Sequence, residues 1–243
     1  MPDAYGRIFL LSHMRAFTSL AGHVLGSHPE INGYYEMHRS YEGPADLDCQ
    51  REALARQDGL KPGSRFLFDK LLHDDYRLLP ERLGIRDLRL LLCLRRPAAT
   101  LASMVRLFAR RPGLTGFAQP EQAAAYYQGR LASLARFARE HAGRYGYFDA
   151  ELWQTAPETL LAQLTLRLEL ASPLRDEYCI FSLTGQPGAG DSSPRIRSGR
   201  IERTPSRHDD VALPPALLQA AHSAYEACRS TLLGHAAWVV PDG

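Results

Sequence analysis

Short runs of apolar residues alternate along the chain with longer segments in which apolar residues recur every three or four positions. The short runs are rich in branched and aromatic side chains, as strands are, whereas the longer segments have the spacing of amphipathic helices. This pattern predicts strands at residues 7–11, 31–35, 65–68, 88–94 and 145–148. It predicts helices at residues 18–26, 45–56, 76–83, 98–108, 121–141, 157–168 and 214–228. The alternation predicts a three-layer α/β fold in which helices flank a central parallel sheet.

The strongest strand signal is residues 88–94, LRLLLCL, which suits the buried centre of a parallel sheet. Two segments lack apolar periodicity. Residues 110–119 contain Gly and Pro and are predicted to form a loop or lid. Residues 185–207 are rich in Gly, Pro, Ser and Arg and are predicted to form a mobile loop. Because no repeat or linker divides the chain, we predict one domain over residues 1–243.

The charge is nearly balanced, with 29 basic against 27 acidic residues and a formal net charge of +2. Nothing global therefore attracts the protein to nucleic acid or to an anionic membrane, and any anion site must be local. Only two lysines occur, Lys61 and Lys70, so arginine carries nearly all of the positive charge. Lys70 follows a predicted strand directly after Asp69, which makes it a candidate for the cleft.

The four cysteines are widely separated and form no CxxC pair, which predicts a reduced, cytoplasmic protein. No run approaches the roughly 18 apolar residues of a transmembrane helix, so no membrane span is predicted. No histidine stands near a cysteine at metal-ligand spacing, and we predict no metal site.

The first candidate site lies where the first predicted strand passes into the first predicted helix, with Arg15 in the turn and Thr18 and Ser19 at the helix start. Free backbone N–H groups and the helix dipole favour an anion at such a corner, and the arginine and hydroxyls add donors. The Gly-Lys-Ser/Thr core of a Walker A loop is missing. Alternatively, Thr18 only caps the helix and Arg15 is a solvated charge.

The second candidate site follows the predicted central strand. Arg95 stands at the carboxyl end of that strand, where open α/β sheets bind ligands, and Ser103 lies two turns into the next helix. Both side chains are therefore expected to reach one phosphate. The alternative is an ordinary helix start at Pro97 flanked by surface arginines.

Both segments resemble motifs of the sulfotransferases that use 3'-phosphoadenosine-5'-phosphosulfate (PAPS). The first is similar to the 5'-phosphosulfate loop, written R-S-G-T-T-L in many bacterial members. The resemblance places Arg15 at the basic position and Thr18 and Ser19 at the hydroxyl pair. Ala16 stands where the family has serine, and Phe17 where it has glycine. The family has a P-loop NTPase-like α/β fold, which agrees with the predicted elements.

The second segment is similar to the family's 3'-phosphate motif, R-x-P-x-x-x-x-x-S, which implies that Arg95 and Ser103 hold the 3'-phosphate. Later elements follow in family order. Arg197, Gly199 and Arg200 resemble the late R-K-G element that closes over the same phosphate, and Tyr147 resembles the strand tyrosine that approaches the adenine. The arginines at 195–207 alternatively suit nucleic acid, but they lack the interleaved aromatic residues typical of such surfaces.

The resemblance implies two candidates for the base that removes the acceptor's proton, and the position of His38 adds a third. Glu36 follows the second predicted strand, as the glutamate base does in several bacterial members, and it is slightly favoured. His73 resembles the histidine of the K-T-H-L-P element, displaced by one residue. His38 follows Glu36 on the same side of an extended segment. Arg15 and Lys70 are candidates for the bridging oxygen and the sulfuryl group.

Transfer of a sulfuryl group from PAPS to an acceptor hydroxyl or amine is therefore the predicted activity, without a metal and with adenosine 3',5'-bisphosphate as product. Small metabolites, lipids, carbohydrates and peptides all remain candidate acceptors. A nucleotide kinase is disfavoured because the Walker lysine and an obvious magnesium-binding acid on a strand are both missing. A nucleotide-binding protein of the same fold without activity is the further alternative.

Overall fold

The computed structural model describes residues 5–110, 116–186, 194–204 and 211–241. Within these ranges six parallel strands form one sheet in the order β2-β3-β1-β4-β5-β6. The strands are β1 (Gly6–Leu11), β2 (Ile31–Asn32), β3 (Phe66–Leu71), β4 (Leu88–Leu94), β5 (Tyr145–Asp149) and β6 (Trp238–Val239). Strand β1 lies between β3 and β4, and all of its residues are buried. Because these strands are parallel, the carboxyl ends of β1, β3 and β4 lie at one edge of the sheet, where open α/β sheets bind ligands.

Helices cover both faces of this sheet. In the described ranges they are α1 (Thr18–Ser27), α2 (Pro44–Gln57), α3 (Pro97–Ala109), α4 (Pro120–Glu140), α5 (Leu152–Thr155), α6 (Pro157–Arg167) and α7 (Pro215–His235). Because side chains alternate along a strand, Ile8 and Leu10 pack with α1 and α6, whereas Phe9 and Leu11 pack with α3, α4 and α7. Two apolar cores therefore fix the sheet between two helical layers, and the three-layer prediction is confirmed.

Most predicted elements form within a few residues of their expected bounds, but residues 76–83 do not form the predicted helix. Only Pro80–Arg82 makes a single 3₁₀ turn, and Tyr41 forms a parallel bridge with Leu78. Proline lacks an N–H group and disfavours helical backbone in the residue before it. Leu79 accordingly has φ −115° and ψ 79°. Apolar spacing alone therefore predicts a helix that Pro80 prevents.

The other differences are smaller. Strand β2 ends at Asn32 rather than at residue 35, because Gly33 takes a positive φ of 94°. Helix α5 and strand β6 were not predicted, and the last helix continues to His235. The predicted loop at 110–119 lies partly outside the described residues, and its described part contains the 3₁₀ turn Gly116–Ala118.

The predicted loop at 185–207 also lies partly outside the described ranges. Its described part contains the 3₁₀ helix Pro194–Ser198, and Arg200 forms an antiparallel bridge with Glu177. No helix of the described chain is both long enough and apolar enough to cross a membrane.

Candidate functional site

The loop that joins β1 to α1 is tied to the end of β4. Ser12 and His13 are completely buried, and the Ser12 hydroxyl donates a hydrogen bond of 2.7 Å to the carbonyl of Cys93. The backbone N–H of Arg95 donates to His13 Nε2 at 3.0 Å, so Nδ1 carries the proton and donates to the Met14 carbonyl at 2.9 Å. Burial lowers the pKa of His13 to about 4, which keeps the ring neutral. A neutral imidazole therefore connects the two predicted phosphate motifs.

Two residues of this loop take left-handed backbone conformations, Arg15 with φ 64° and Phe17 with φ 56°. Phe17 stands where the family motif has glycine, and its backbone adopts a conformation that glycine reaches without strain. In the described chain the backbone N–H groups of Ala16, Phe17 and Thr18 have no hydrogen-bond acceptor. Consecutive N–H groups at the start of a helix form a concavity suited to an anion.

The side chains of the two predicted phosphate motifs meet. Arg15 Nε donates to Ser103 Oγ at 2.9 Å, although 88 positions separate the two residues. Arg95 Nη1 donates to the Arg15 carbonyl at 2.9 Å, and the Arg95 guanidinium carbon lies 4.2 Å from the centre of the Phe17 ring. Arg95 is 7% exposed and Ser103 5% exposed. The arrangement places two guanidinium groups, a hydroxyl and a helix start at one corner of the sheet.

Lys70 reaches the same corner from β3. Its ammonium group donates to Ser19 Oγ at 3.1 Å, and the residue is only 2% exposed. The neighbouring Asp69 is completely buried and accepts hydrogen bonds from the Lys70 N–H at 2.7 Å, the Met37 N–H at 3.0 Å and the Tyr41 hydroxyl at 2.6 Å. Burial raises the pKa of Asp69 to about 7, although these hydrogen bonds oppose the increase. Asp69 thus joins β3 to the segment that carries Glu36.

Glu36 lies between the two candidate histidines. Its Oε1 atom is 3.7 Å from His38 Nδ1 and 3.9 Å from His73 Nε2, and within the described residues this buried atom has no hydrogen-bond partner. The residue is 7% exposed. Burial lowers the pKa of His73, although the Glu36 carboxylate opposes the decrease, and the lower pKa favours the neutral ring. A buried carboxylate oxygen without a donor is well placed to accept a proton from a bound molecule.

Solved structures share this architecture. A sulfotransferase domain from the Synechococcus PCC 7002 olefin synthase superposes with a TM-score of 0.64 at 18% sequence identity, over 93% of this chain and 96% of that chain. The chain has the sulfotransferase fold. A sulfotransferase domain from the curacin biosynthetic pathway gives a TM-score of 0.55 at 17% identity, over 91% of this chain and 98% of that chain. No protein-family model and no curated protein sequence matches the chain.

Within this sulfotransferase fold, Tyr147 lies apart from the corner described above. It is completely buried in the core beneath α4 and α7, and its hydroxyl donates to Asp149 Oδ1 at 2.6 Å. Burial would raise the pKa of Asp149, but hydrogen bonds from Arg229 and Tyr147 lower it. Arg229 also forms an ion pair with Asp149 at 2.5 Å. In this structure Tyr147 therefore acts in the core, and its predicted contact with adenine stays a prediction.

The late arginine element forms a turn against residues 176–178. Gly199 has φ 72°, and its carbonyl accepts the Tyr178 N–H at 2.8 Å. Arg197 and Arg200 are exposed, and Arg197 packs over Gly185. The ring of Tyr178 in turn lies 5.6 Å from that of His23 in α1. The element is thus joined through Tyr178 to α1, which follows the predicted phosphosulfate loop, and its action on a 3'-phosphate stays a prediction.

Three side chains of α4 that the sequence did not identify hold the edge of the sheet together. The Tyr126 hydroxyl accepts the Met14 N–H at 2.9 Å and donates to the Leu72 carbonyl at 2.7 Å, beside His73. The Tyr127 hydroxyl donates to the Arg95 carbonyl at 2.7 Å. Arg130 donates to the carbonyls of Ser12 and Leu71 at 2.8 and 2.7 Å, and to Asp74 at 2.6 Å. One helix therefore bonds the main chain that follows β1, β3 and β4.

The side chains at this edge divide into two chemical groups. The anion corner offers Arg15, Lys70, Arg95, hydroxyl groups and backbone N–H groups. Beside it, Glu36 and the two histidines offer proton acceptors. No group of three or more His, Cys, Asp or Glu residues in the described chain is arranged to hold a metal ion.

Proposed function

We propose that the chain is a sulfotransferase that transfers the sulfuryl group of PAPS to a hydroxyl or amine of its acceptor by in-line displacement. The observation that carries this proposal is the meeting of the two phosphate motifs through the hydrogen bond from Arg15 to Ser103. In the family one motif binds the 5'-phosphosulfate and the other binds the 3'-phosphate of the same nucleotide. The side chains of the two motifs must therefore lie close enough to contact one molecule. The sulfotransferase fold supports the same proposal.

In this proposal the anion corner binds the nucleotide. Backbone N–H groups of residues 16–18 and the hydroxyls of Thr18 and Ser19 hold the 5'-phosphosulfate at the start of α1. Arg95 and Ser103 hold the 3'-phosphate, where a guanidinium group is suited to paired hydrogen bonds with phosphate oxygens. Arg197 and Arg200, exposed on their turn, close over the same phosphate.

Glu36 is the proposed base, because its Oε1 atom is buried and has no donor among the described residues. The acceptor hydroxyl gives its proton to this carboxylate while its oxygen forms a bond to sulfur. The bond from sulfur to the bridging oxygen breaks at the same time, and adenosine 3',5'-bisphosphate leaves with the electron pair. Lys70, which reaches Ser19 from β3, stabilises the charge that develops on the bridging oxygen, and Arg15 contributes from the β1–α1 loop.

The acceptor is a small molecule, a lipid or a carbohydrate that carries the attacking group. The kinase alternative lacks support in the chain, because the Gly-Lys-Ser/Thr core of a Walker A loop is absent. An inactive nucleotide-binding protein would bind the same nucleotide without turnover.

Calorimetric titration of the whole chain with adenosine 3',5'-bisphosphate, beside ATP and ADP, tests the proposal. Each nucleotide is titrated with and without magnesium. We expect metal-independent binding of the bisphosphate that is tighter than binding of ATP or ADP. Preference for magnesium-ATP, or no binding of the bisphosphate, would overturn the proposal. Transfer from PAPS to a panel of hydroxyl acceptors then separates an enzyme from an inactive binder.

A further inference from the structure

Phe17 has an unfavourable backbone for its residue type. Its φ of 56° and ψ of 19° lie in the left-handed region, directly before α1. A bulky residue is strained there, whereas glycine adopts the region freely. Such strain persists only where the surroundings enforce it, and it is concentrated at functional sites. The aromatic side chain is therefore expected to contribute something that glycine lacks.

The ring of Phe17 contacts the arginine of the second phosphate motif. The guanidinium carbon of Arg95 lies over the ring at 4.2 Å from its centre, within the range of a cation–π interaction. Arg95 Nη1 is also fixed by its hydrogen bond of 2.9 Å to the Arg15 carbonyl. Arg95 is only 7% exposed, so water weakens these interactions little. The β1–α1 loop thus holds the guanidinium group by its face and by its edge.

From these contacts we infer that Phe17 is a positioning residue for Arg95 and sets the specificity of the site for a 3'-phosphate. This inference rests on the proposed function. A free arginine side chain loses rotamer freedom when it binds phosphate, and prior orientation removes part of that cost. Because Arg95 binds the 3'-phosphate in the proposed function, loss of the Phe17 ring weakens the binding of ligands that carry this phosphate. The affinity for nucleotides without a 3'-phosphate stays nearly unchanged.

The inference is tested by comparing adenosine 3',5'-bisphosphate with adenosine 5'-monophosphate, which lacks only the 3'-phosphate. Dissociation constants for both are measured with wild type, F17L, F17M and F17Y. Leucine and methionine keep an apolar side chain but have no aromatic face, whereas tyrosine keeps the ring. We expect the preference for the bisphosphate to fall about tenfold in F17L and F17M and to be retained in F17Y.

Thermal unfolding of the same samples separates positioning from packing, because Phe17 also contacts the core beside α1. Lower stability with an unchanged preference in F17L and F17M would show a packing role only and overturn the inference. F17M, whose side chain is unbranched and adaptable, serves if F17L does not fold. If wild type itself shows no preference for the bisphosphate, the proposed function fails, which is a separate outcome.

Discussion

The candidate site has two halves, the anion corner and the surroundings of Glu36, and they differ in how completely their polar side chains are hydrogen-bonded within the protein. At the anion corner Arg15 is bonded to Ser103, Arg95 to the Arg15 carbonyl and Lys70 to Ser19. On the acceptor side, Glu36 Oε1 is buried without a hydrogen bond from any described residue, and the nearest imidazole nitrogens are 3.7 and 3.9 Å away. The side chains of the anion corner are thus already oriented by hydrogen bonds, whereas Glu36 Oε1 has no hydrogen-bond donor among the described residues.

This difference separates binding from chemistry. Groups that are already oriented lose little entropy when a ligand arrives, which favours tight binding of the nucleotide. A buried hydrogen-bond acceptor without a donor lowers the stability of the folded protein by about 1–3 kcal/mol. Such a cost is tolerated where a bound molecule supplies the donor. Substitutions in the anion corner should therefore change nucleotide affinity, and those of Lys70 and Arg15 should change turnover as well, whereas substitution of Glu36 should change turnover alone.

The largest effect is expected from E36Q, which removes the charge and basicity of the carboxylate while keeping its shape. We expect turnover of PAPS to fall by about 10²–10⁴-fold, the usual contribution of a general base. The dissociation constant of adenosine 3',5'-bisphosphate should stay within about twofold of wild type, because Glu36 Oε1 lies beside the imidazoles of His38 and His73. Steady-state kinetics and calorimetry measure the two quantities.

The matched control for this prediction is E42Q, because Glu42 belongs to the same segment but is exposed, and its side chain forms an ion pair of 3.5 Å with Arg77. E42Q should behave as wild type. If E36Q keeps near-normal turnover while H73Q or H38Q loses it, the base is a histidine and the assignment to Glu36 is wrong.

A second prediction concerns the anion corner. R95A removes the guanidinium group that the Arg15 carbonyl and the Phe17 ring hold in place. Loss of one partner from a buried charged contact usually weakens binding by about 30- to 1,000-fold, and we expect this for adenosine 3',5'-bisphosphate. R96A removes the same charge from the exposed neighbouring residue and should change affinity little. Equal losses in both variants would show a general effect of charge rather than a 3'-phosphate site.

The sequence predicted the part of this arrangement that depends on strand order and local motifs. Apolar runs located β1 and β4, and the carboxyl ends of neighbouring parallel strands must lie together. The meeting of Arg15 with Ser103 follows from that rule, because each residue belongs to the segment after its strand. Helix α1 also begins at Thr18, as predicted.

Other features depend on long-range packing that has no local signal. In the sequence Tyr126 and Arg130 have no feature that distinguishes them from other residues of a long helix. The position of α4 over the sheet brings their side chains to the ends of β1 and β3. Tyr147 matched a family tyrosine, but the alternation of its strand directs it into the core beneath α4 and α7. His73 stands one residue away from the position of the histidine in the family motif. The sequence therefore does not indicate that His73 Nε2 lies 3.9 Å from Glu36 Oε1.

The smallest predicted effect concerns His13, which connects the preorganised half of the site to β4 through the Arg95 N–H. The folded protein lowers the pKa of this ring from 6.5 to about 4 by burial. Between these values the unfolded chain binds a proton at residue 13 that the folded protein excludes, so stability falls as the pH falls. From pH 7.5 to pH 5 this loss amounts to about 2 kcal/mol of unfolding free energy.

H13Q removes the titration while retaining an amide that donates and accepts hydrogen bonds. Urea unfolding at pH 7.5 and pH 5 should therefore show a decrease in stability that is smaller in H13Q than in wild type by about 2 kcal/mol. H222Q, at an exposed position of α7, should keep the wild-type decrease. If wild type and H13Q lose stability equally, protonation of His13 does not oppose folding. The neutral ring would then not be what holds the β1–α1 loop against Arg95, and the preorganisation of the anion corner would depend on the bonds from α4 instead.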